Sequence, residues 1–346
     1  TVGVGAKDGG NLLTPVCWVA GGGGASPPPP RRDDNDDIGP GKLSWRYRLT
    51  NLDVKVSPYL YIAPFFVLFA AVGLFPLLYT AYISLFEWEL GADEQPFVGI
   101  DNYTTLLADS QFWNAMVNTF SIFAISTIPQ VIIAVLLAAL LNTALRGRTG
   151  WRMGVLLPYV ASLVALTIIF GDLFGVQYGT INNIVEFFGF DRIDWQAERW
   201  WSHVAIATMV NWRWTGYNAL IVLAAMQAIP RDVYEAAWVD GASKTRQFFS
   251  ITLPMLRPTL IFVIVTSTIG GLQIFTEPLL FSPSAGANGG ATNQYQTVVL
   301  YMYQAGFQSQ DLGYASAMAW VLFIVIIAIA GINFLLTRRL ASSGEA

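Results

Sequence analysis

The side chains in this sequence that could do chemistry lie mostly within apolar runs. Asn211, Trp212, Arg213, Trp214, Tyr217 and Asn218 fall in one run, Ser267, Gln273 and Glu277 in another, and Asp172 near the end of a third. Polar groups in hydrocarbon are costly and persist where they line a pathway or find partners. Each therefore has two readings: a pathway-lining group, or a member of an interhelical hydrogen bond or aromatic belt. Arg213 and Glu277 have a further one, a structural ion pair with each other. Catalytic chemistry finds little support. His203 is the only histidine, which excludes paired-histidine metal motifs and argues against a Ser/His/Asp apparatus; it reads as an interfacial residue at the outer end of its run. The single Cys17 rules out an internal disulfide and a cysteine-based metal site. No apolar signal core precedes it, so it does not read as a lipid-attachment cysteine. No G-x-x-x-x-G-K phosphate loop occurs, so nucleotide hydrolysis is not expected of this chain. No enzyme activity, bound cofactor, metal or nucleic-acid partner is expected.

These residues must be positioned by helices in a bilayer. With 54% hydrophobic and 12% charged residues over 346 positions, and a mean hydropathy of +0.49, the chain is too apolar for a soluble domain of its length. The expected class is an all-α polytopic membrane protein. Six runs are long enough for spans of about 20 residues: Tyr59–Phe86, Ala115–Leu145, Trp151–Phe174, Trp201–Gln227, Thr259–Phe281 and Ala315–Thr337. Pro64, Pro76 and Pro129 fall inside spans, where neighbouring helices can satisfy the freed carbonyls. Gly73, Gly171, Gly216, Gly270, Gly271 and Gly331 predict close helix approach. Residues 1–41, rich in Gly, Pro and Asp, are expected to form a disordered cytoplasmic tail. The sequence begins at Thr1 rather than Met, which points to processing or a trimmed record, and no cleavable signal peptide is read in it. In residues 42–58 basic side chains alternate with Trp45, Tyr47, Leu49 and Leu52. That fits a juxtamembrane segment on an anionic surface, or a solvated linker.

The most polar break within the apolar part is Pro230–Pro258. Pro230 suits a first helical position, and Asp232 and Glu235 complement the positive end of the helix that follows. Gly241 reads as its stop, Ser243 as the cap of a second short helix, and Pro254 and Pro258 bound the next apolar run. The distribution of Lys and Arg orients the chain. The stretches Glu87–Asn114 and Ser282–Tyr314 carry none, whereas Arg146, Arg148, Arg152, Arg231, Lys244, Arg246, Arg257, Arg338 and Arg339 crowd the alternate connections and the end of the last span. The connection containing Arg192 and Arg199 is mixed and consistent with the outside. Both termini, the 340–346 tail included, and the 230–258 loop are thus expected in the cytoplasm.

The stretch EAAWVDGASKTRQFFSITLP resembles the cytoplasmic loop of permease subunits of binding-protein-dependent ABC importers, in which Glu-Ala-Ala, a following glycine and an Ile-x-Leu-Pro end recur. Glu235, Ala236, Ala237, Gly241, Ile251, Leu253 and Pro254 supply these. YLYIAPFFVLF, PLLYTAYISLFEW, FVGIDNYTTLL, MQAIPRDVYEAA, LQIFTEPLLF and DLGYASAMAWVLF agree with the carbohydrate branch. The resemblance covers about Tyr59–Arg339 and is strongest to the maltose-type first permease subunit. It implies one transmembrane domain, 59–339, and a coupling helix in 230–258 that seats in a cleft of an ATPase subunit. It further implies contacts by Glu235, Ala236, Ala237 and Asp240, a turn at Gly241, and Phe248 with Phe249 tying the loop to its own subunit. The implied partners are a second permease in a heterodimer, an ATP-binding subunit dimer carrying ATP and Mg, an extracytoplasmic sugar-binding protein, the sugar and the lipid bilayer. The implied location is a bacterial or archaeal plasma membrane. The implied substrate is a di- or oligosaccharide, with Asn211, Trp214, Tyr217, Asn218, Ser267, Gln273 and Glu277 as pathway candidates, since aromatic faces stack on pyranose rings and amide or carboxylate oxygens accept hydroxyls.

Two rivals remain open at this level. An ion-gradient-driven secondary transporter predicts inverted repeats and a buried acidic coupling residue; no repeat is evident, and Glu277 is a weak candidate. A membrane scaffold or receptor would need no coupling loop. Within the importer class, a polyol or glycerol phosphate is an alternative cargo.

Overall fold

The computed structural model describes residues 45–143, 146–282 and 288–342. The 1–41 tail, Cys17 and the last residues of the 340–346 tail lie outside them. The chain divides into two units, 1–67 and 68–346. In the first, helix α1 (Trp45–Leu68) starts well before Tyr59 and contains Pro58 and Pro64, so the predicted juxtamembrane segment is helical from Trp45 onward. Tyr59, Leu60 and Tyr61 are exposed on it, as suits a helix turned to an apolar solvent.

The second unit begins with a π-helical turn, Phe69–Leu74, and α2 (Phe75–Ile83). Then come α3 (Asp101–Ala108), α4 (Ser110–Leu141), α5 (Arg148–Val160), α6 (Leu163–Leu173), α7 (Thr180–Phe187) and α8 (Arg199–Gln227). The chain continues through α9 (Arg231–Val239), α10 (Lys244–Gln247), α11 (Leu253–Met255), α12 (Arg257–Leu272), α13 (Thr276–Leu280), α14 (Val298–Tyr303) and α15 (Leu312–Ser342). No strand forms among the described residues; isolated antiparallel bridges join Phe86 to Phe97 and Glu89 to Asp311.

The core is built along α4 and α8. Buried Ala115, Ala134 and Ala138 on α4, with Ala205, Ala207, Gly216 and Ala219 on α8, let neighbouring backbones approach closely where lipid gives no hydrophobic incentive. Three of the predicted contact glycines serve this purpose. A Cβ at Gly216 would strike the Val155 carbonyl, one at Gly171 would lie 2.8 Å from the Phe281 oxygen, and one at Gly271 would lie 2.8 Å from the Phe123 ring. Gly270 and Gly331 meet nothing within 4 Å, and Gly73 meets only Phe69, so these three do not mark close approaches.

Three helical stretches are long and apolar enough to cross a membrane: Val56–Ile83, Ser110–Leu141 and Leu312–Leu335. Two bent pairs raise the number to five, α5 with α6 at 88° and Lys244–Met255 with α12 at 66°. The predicted straight third span is thus broken. Past Pro158 the backbone turns extended at Ala161, and Ser162 restarts the helix by accepting from the Ala165 amide at 3.5 Å. The predicted fifth span ends early. Helix α12 stops at Leu272, Gln273 and Phe275 leave helical geometry, and α13 begins anew at Thr276. The first span closes at Ile83 and the second at Leu141, each before its predicted end. Helix α8 has 29 residues, but Arg199, His203, Asn211 and Arg213 dilute its hydropathy.

Candidate functional site

Between α4, α5, α8 and α12 lies a cavity of about 260 Å³ lined by Thr127, Gln130, Tyr159, Trp214, Tyr217, Asn218, Thr266 and Ser267, with Val210, Phe262, Gly270, Gly271 and Ile274. Four predicted pathway residues meet here: Trp214, Tyr217, Asn218 and Ser267. The rings form a cluster, Tyr159 stacking on Tyr217 at 4.6 Å and meeting Trp214 edge-on at 5.2 Å. The Asn218 amide donates to Gln130 Oε1 at 3.2 Å and to Ser267 Oγ at 3.1 Å, which locks α8 to α4 and α12 and leaves the hydroxyls and rings facing the space. Tyr159, Thr127 and Gln130 were missed in the sequence. Thr127 and Gln130 flank Pro129 in an apolar run, so the cost of intramembrane polarity could have flagged them.

The other three candidates lie elsewhere. Asn211 faces a groove on another side of α8, with Gly154, Val155 and Pro158, and its Oδ1 is buried without a partner. Gln273 is exposed beside Leu77, Thr80 and Trp320. Glu277 is buried on α13, which packs against α6 and α8. The reason is the break after Leu272: Gln273 and Glu277 do not continue the helical face of Ser267. Nor do Arg213 and Glu277 form an ion pair, since among the described residues the salt bridge is Arg192–Glu186. The Arg213 guanidinium instead lies over Tyr159 and Trp214, 5.8 and 5.6 Å from their centroids. Trp212 and Asp172 are exposed.

In the 230–258 break, Pro230 is the N-cap of α9 rather than its first helical residue. Gly241, at φ +79°, ends the helix; its amide donates to Trp238 O and that of Ala242 to Ala237 O, both at 2.9 Å. Only glycine takes that backbone conformation readily. Ser243 then caps α10 through the Arg246 amide at 3.3 Å. Tyr234 and Thr252 hydroxyls meet at 2.9 Å, and Gln247 donates to Ala242 O at 3.0 Å. Phe248 packs into the cluster of Leu141, Val222, Met226 and Leu256, whereas Phe249 is exposed, so Phe248 alone ties the loop inward. Glu235, Ala236 and Asp240 are exposed and Ala237 is half-buried. Trp238 and Val239 are 75% and 79% exposed, a bare apolar tip beside a concavity of about 520 Å³ that Tyr234, Glu235 and Gly241 help line.

The opposite connections are laced together. Asp109 caps α4 through the Gln111 amide at 2.8 Å and accepts the hydroxyls of Tyr301 at 2.6 Å and Tyr314 at 2.7 Å. Burial pushes its carboxyl up, but these bonds and the Phe112 amide outweigh it and hold the group below its ordinary value. Burial, then the Asp109 carboxylate, pushes Tyr301 up to about 12. His203 bridges Ser121 Oγ and Gln294 O, both at 2.9 Å, so it is an internal strut rather than an interfacial residue. Gln294 donates to Gln196 O at 2.6 Å, Ser282 donates to Gln196 Oε1 at 2.9 Å, and Arg199 hydrogen-bonds Asn114. The mixed third connection therefore shares one end of the molecule with the two that lack Lys and Arg.

The family model of the binding-protein-dependent transport system inner membrane component matches residues 104–342, which takes in the cavity, the α9 knuckle and this laced end. The chain belongs to this family. Such a component is the membrane permease of an ABC transporter and not an enzyme; the ATPase is a separate subunit. Among its relatives, the lactose transport system permease protein LacF of Rhizobium radiobacter is 34% identical over 288 residues, covering 82% of this chain and 95% of LacF. The arabinooligosaccharides permease protein AraP of Halalkalibacterium halodurans is 34% identical over 285 residues, 82% of this chain and 88% of AraP. The trehalose/maltose permease protein MalF of Thermococcus litoralis is 32% identical over 270 residues, 78% and 90% of the two chains. A chain of a bacterial ABC transporter that imports the acidic polysaccharide alginate shares the fold, with a TM-score of 0.71 at 23% identity over 84% of this chain and 98% of that one. Membership and the apolar helices make this component a multi-pass protein of the plasma membrane.

Proposed function

We propose that this permease carries a di- or oligosaccharide through the space between α4, α5, α8 and α12, as one half of a permease heterodimer. The observation that carries the reading is the cavity itself. Tyr159, Trp214 and Tyr217 give it flat apolar faces suited to a pyranose, and Thr127, Thr266 and Ser267 give it hydroxyls. The relatives named for lactose, arabinooligosaccharides and trehalose/maltose support it. Glycerol phosphate would need a cation in the cavity, and Arg213 is not among the residues that line it. Counting the three long stretches, the two bent pairs and α8 gives six crossings, with both termini and α9 in the cytoplasm by the distribution of Lys and Arg.

The α9 knuckle is the coupling element. Trp238, Val239, Glu235 and Asp240 meet a cleft of an ATPase subunit that holds ATP and Mg. Because the loop joins α8 to α12, the helices lining the cavity, a push on α9 moves both walls. A sugar-binding protein docks at the opposite end; the alginate transporter was solved with a periplasmic protein bound to an alginate pentasaccharide. The test is ATP-driven uptake by proteoliposomes holding the complete complex, with the sugar chosen by calorimetry of the binding protein against a saccharide panel. Uptake lost with the Gly241→Val change, and weakened with Trp214→Ala, is expected. Uptake that persists without ATP on an ion gradient would sink the proposal in favour of a secondary transporter.

A further inference from the structure

Helix α7, in the connection between α6 and α8, has three faces. Ile181 and Val185 pack into the core cluster with Phe174 and Trp195, and Asn182 beside them is fully buried. Its amide is used throughout: Oδ1 accepts from the Ile193 amide at 3.1 Å and Trp195 Nε1 at 2.9 Å, and Nδ2 donates to Ile193 O at 2.9 Å. A second face carries Asn183 and Glu186, with Arg192 held on Glu186 at 2.7 Å in an exposed ion pair. The third carries Ile184, Phe187 and Phe188, which are 49%, 85% and 70% exposed. Ile184 and Phe187 share a side of the helix by their i, i+3 spacing, Phe188 follows as its C-cap, and Phe190, 69% exposed, comes just after the turn at Gly189. An eight-residue helix so firmly fixed on one side has no folding reason to expose Ile184 and Phe187 on another and to be followed at once by two more exposed phenyl rings, Phe188 and Phe190.

We propose that this apolar patch is an interfacial anchor which lies in the headgroup–acyl boundary of the bilayer. Three observations choose lipid as the occupant. The helix hangs between the ends of two membrane helices, α6 and α8, so it sits where the bilayer surface begins. The patch bears no hydrogen-bonding group, while the face next to it bears an ion pair that needs water; that division matches a helix lying half immersed, about 5–10 Å into the boundary. Tyr178 just before α7 and Trp200 in the first turn of α8 are 91% and 61% exposed, and are the residue types enriched at membrane–water interfaces. Helix α6, which leads into this connection, also exposes Val164, Ile168 and Ile169. Because Asn182 binds α7 to Gly175 O and Val176 O just beyond α6, the anchor fixes the depth of the broken third span. The inference requires only that the chain spans a bilayer and is independent of the cargo.

The test is site-directed spin labelling of the full chain, with its copurifying subunits, in nanodiscs of phosphatidylethanolamine and phosphatidylglycerol. In a Cys17→Ser background, Phe187→Cys, Ile184→Cys and Asn183→Cys are labelled one at a time. Labels at 187 and 184 are expected to be reached by oxygen and shielded from a water-soluble nickel chelate, with the reverse at 183. Nickel access at all three would overturn the anchor, and a label at 187 immobile and closed to both reagents would overturn it in favour of a protein partner. Hydroxyl-radical footprinting of the unmutated protein serves as a check free of substitutions. Phe187 and Phe188 should be protected in nanodiscs and oxidised once lipid is exchanged for a short-chain detergent; equal oxidation in both would count against the proposal.

Discussion

The two ends of this bundle satisfy their loops in opposite ways. At the end where two of the three connections lack Lys and Arg, Asp109, Asn182, His203, Gln196 and Gln294 spend their polar atoms on hydrogen bonds within and between the connections. At the Arg-rich end, α9 is held by Tyr234 on Thr252, and leaves Trp238 and Val239 bare. Connections that bond to one another settle their hydrogen bonding within the chain. A loop that exposes a tryptophan above a rigid glycine turn is complete only with a partner. On the proposed reading, the laced end is the one that receives cargo and the bare α9 tip the one that receives force.

The largest expected effect comes from two glycines of similar conformation at the two ends. Gly241 and Gly91 have φ of +79° and +95°, and a Cβ on either would meet nothing within 4 Å. The left-handed backbone penalty of about 1–2 kcal/mol therefore applies to both, and valine adds its β-branched restriction to both. If the α9 knuckle transmits force, Gly241→Val abolishes ATP-driven uptake with normal membrane levels, whereas Gly91→Val retains most of it. Equal loss in both would break the comparison. Next in size is Trp238→Ala. The side chain touches little of its own chain, so the thermal midpoint should stay within the roughly 0.5 kcal/mol expected of a surface change, while copurification with the ATPase falls by more than about tenfold, as for an interface hot spot. An unchanged ATPase yield would make the bare tip a mere surface.

The cavity effect is smaller. Removing one stacking ring by Trp214→Ala forfeits about 0.5–1.5 kcal/mol, a roughly two- to tenfold rise in the KM of uptake, with ATPase copurification intact. The same substitution at Trp212, which is exposed on another side of α8, should leave KM unchanged. Equal KM shifts would mean that the cavity does not select cargo.

How far the sequence could be read follows the same division. The α9 ends were legible because Pro230, Gly241 and Ser243 act locally through φ, a missing N–H and a side-chain cap. The helix α8 was legible as a long apolar run, and its Trp214, Tyr217 and Asn218 did reach one cavity. Gln273 and Glu277 did not, because the α12 break is decided by tertiary packing: Thr297 Oγ donates to Ile274 O at 3.0 Å from a segment far along the chain. Hydropathy sums over residues and cannot register such a stop. Likewise the 88° bend at Ser162 hides within a continuous apolar run, and the role of His203 depended on Ser121 and Gln294, which no local pattern links to it.

A last effect, on stability rather than on transport, tests whether the laced end is held by charge. Asp109 has a folded pKa below its unfolded value, so its contribution is fully present above about pH 4 and is lost as pH falls through the folded pKa. Tyr301, pushed up to about 12, stays a phenol donor across that whole window. Asp109→Asn keeps the outline but removes the charge and turns one of the two accepting oxygens into a donating NH2, which should cost about 1–3 kcal/mol at neutral pH and lower the thermal midpoint of the purified chain. The gap between wild type and variant should hold constant from pH 7 to 5 and narrow only below about pH 4, as the wild-type carboxyl takes up its proton. Tyr301→Phe removes one donor, raises the folded pKa of Asp109 and moves the narrowing to higher pH. A gap that ignores pH would mean that shape alone laces this end; the distinction between a charged clasp there and an open knuckle at α9 would then rest on packing, and Tyr301→Phe would cost as much at pH 3 as at pH 7.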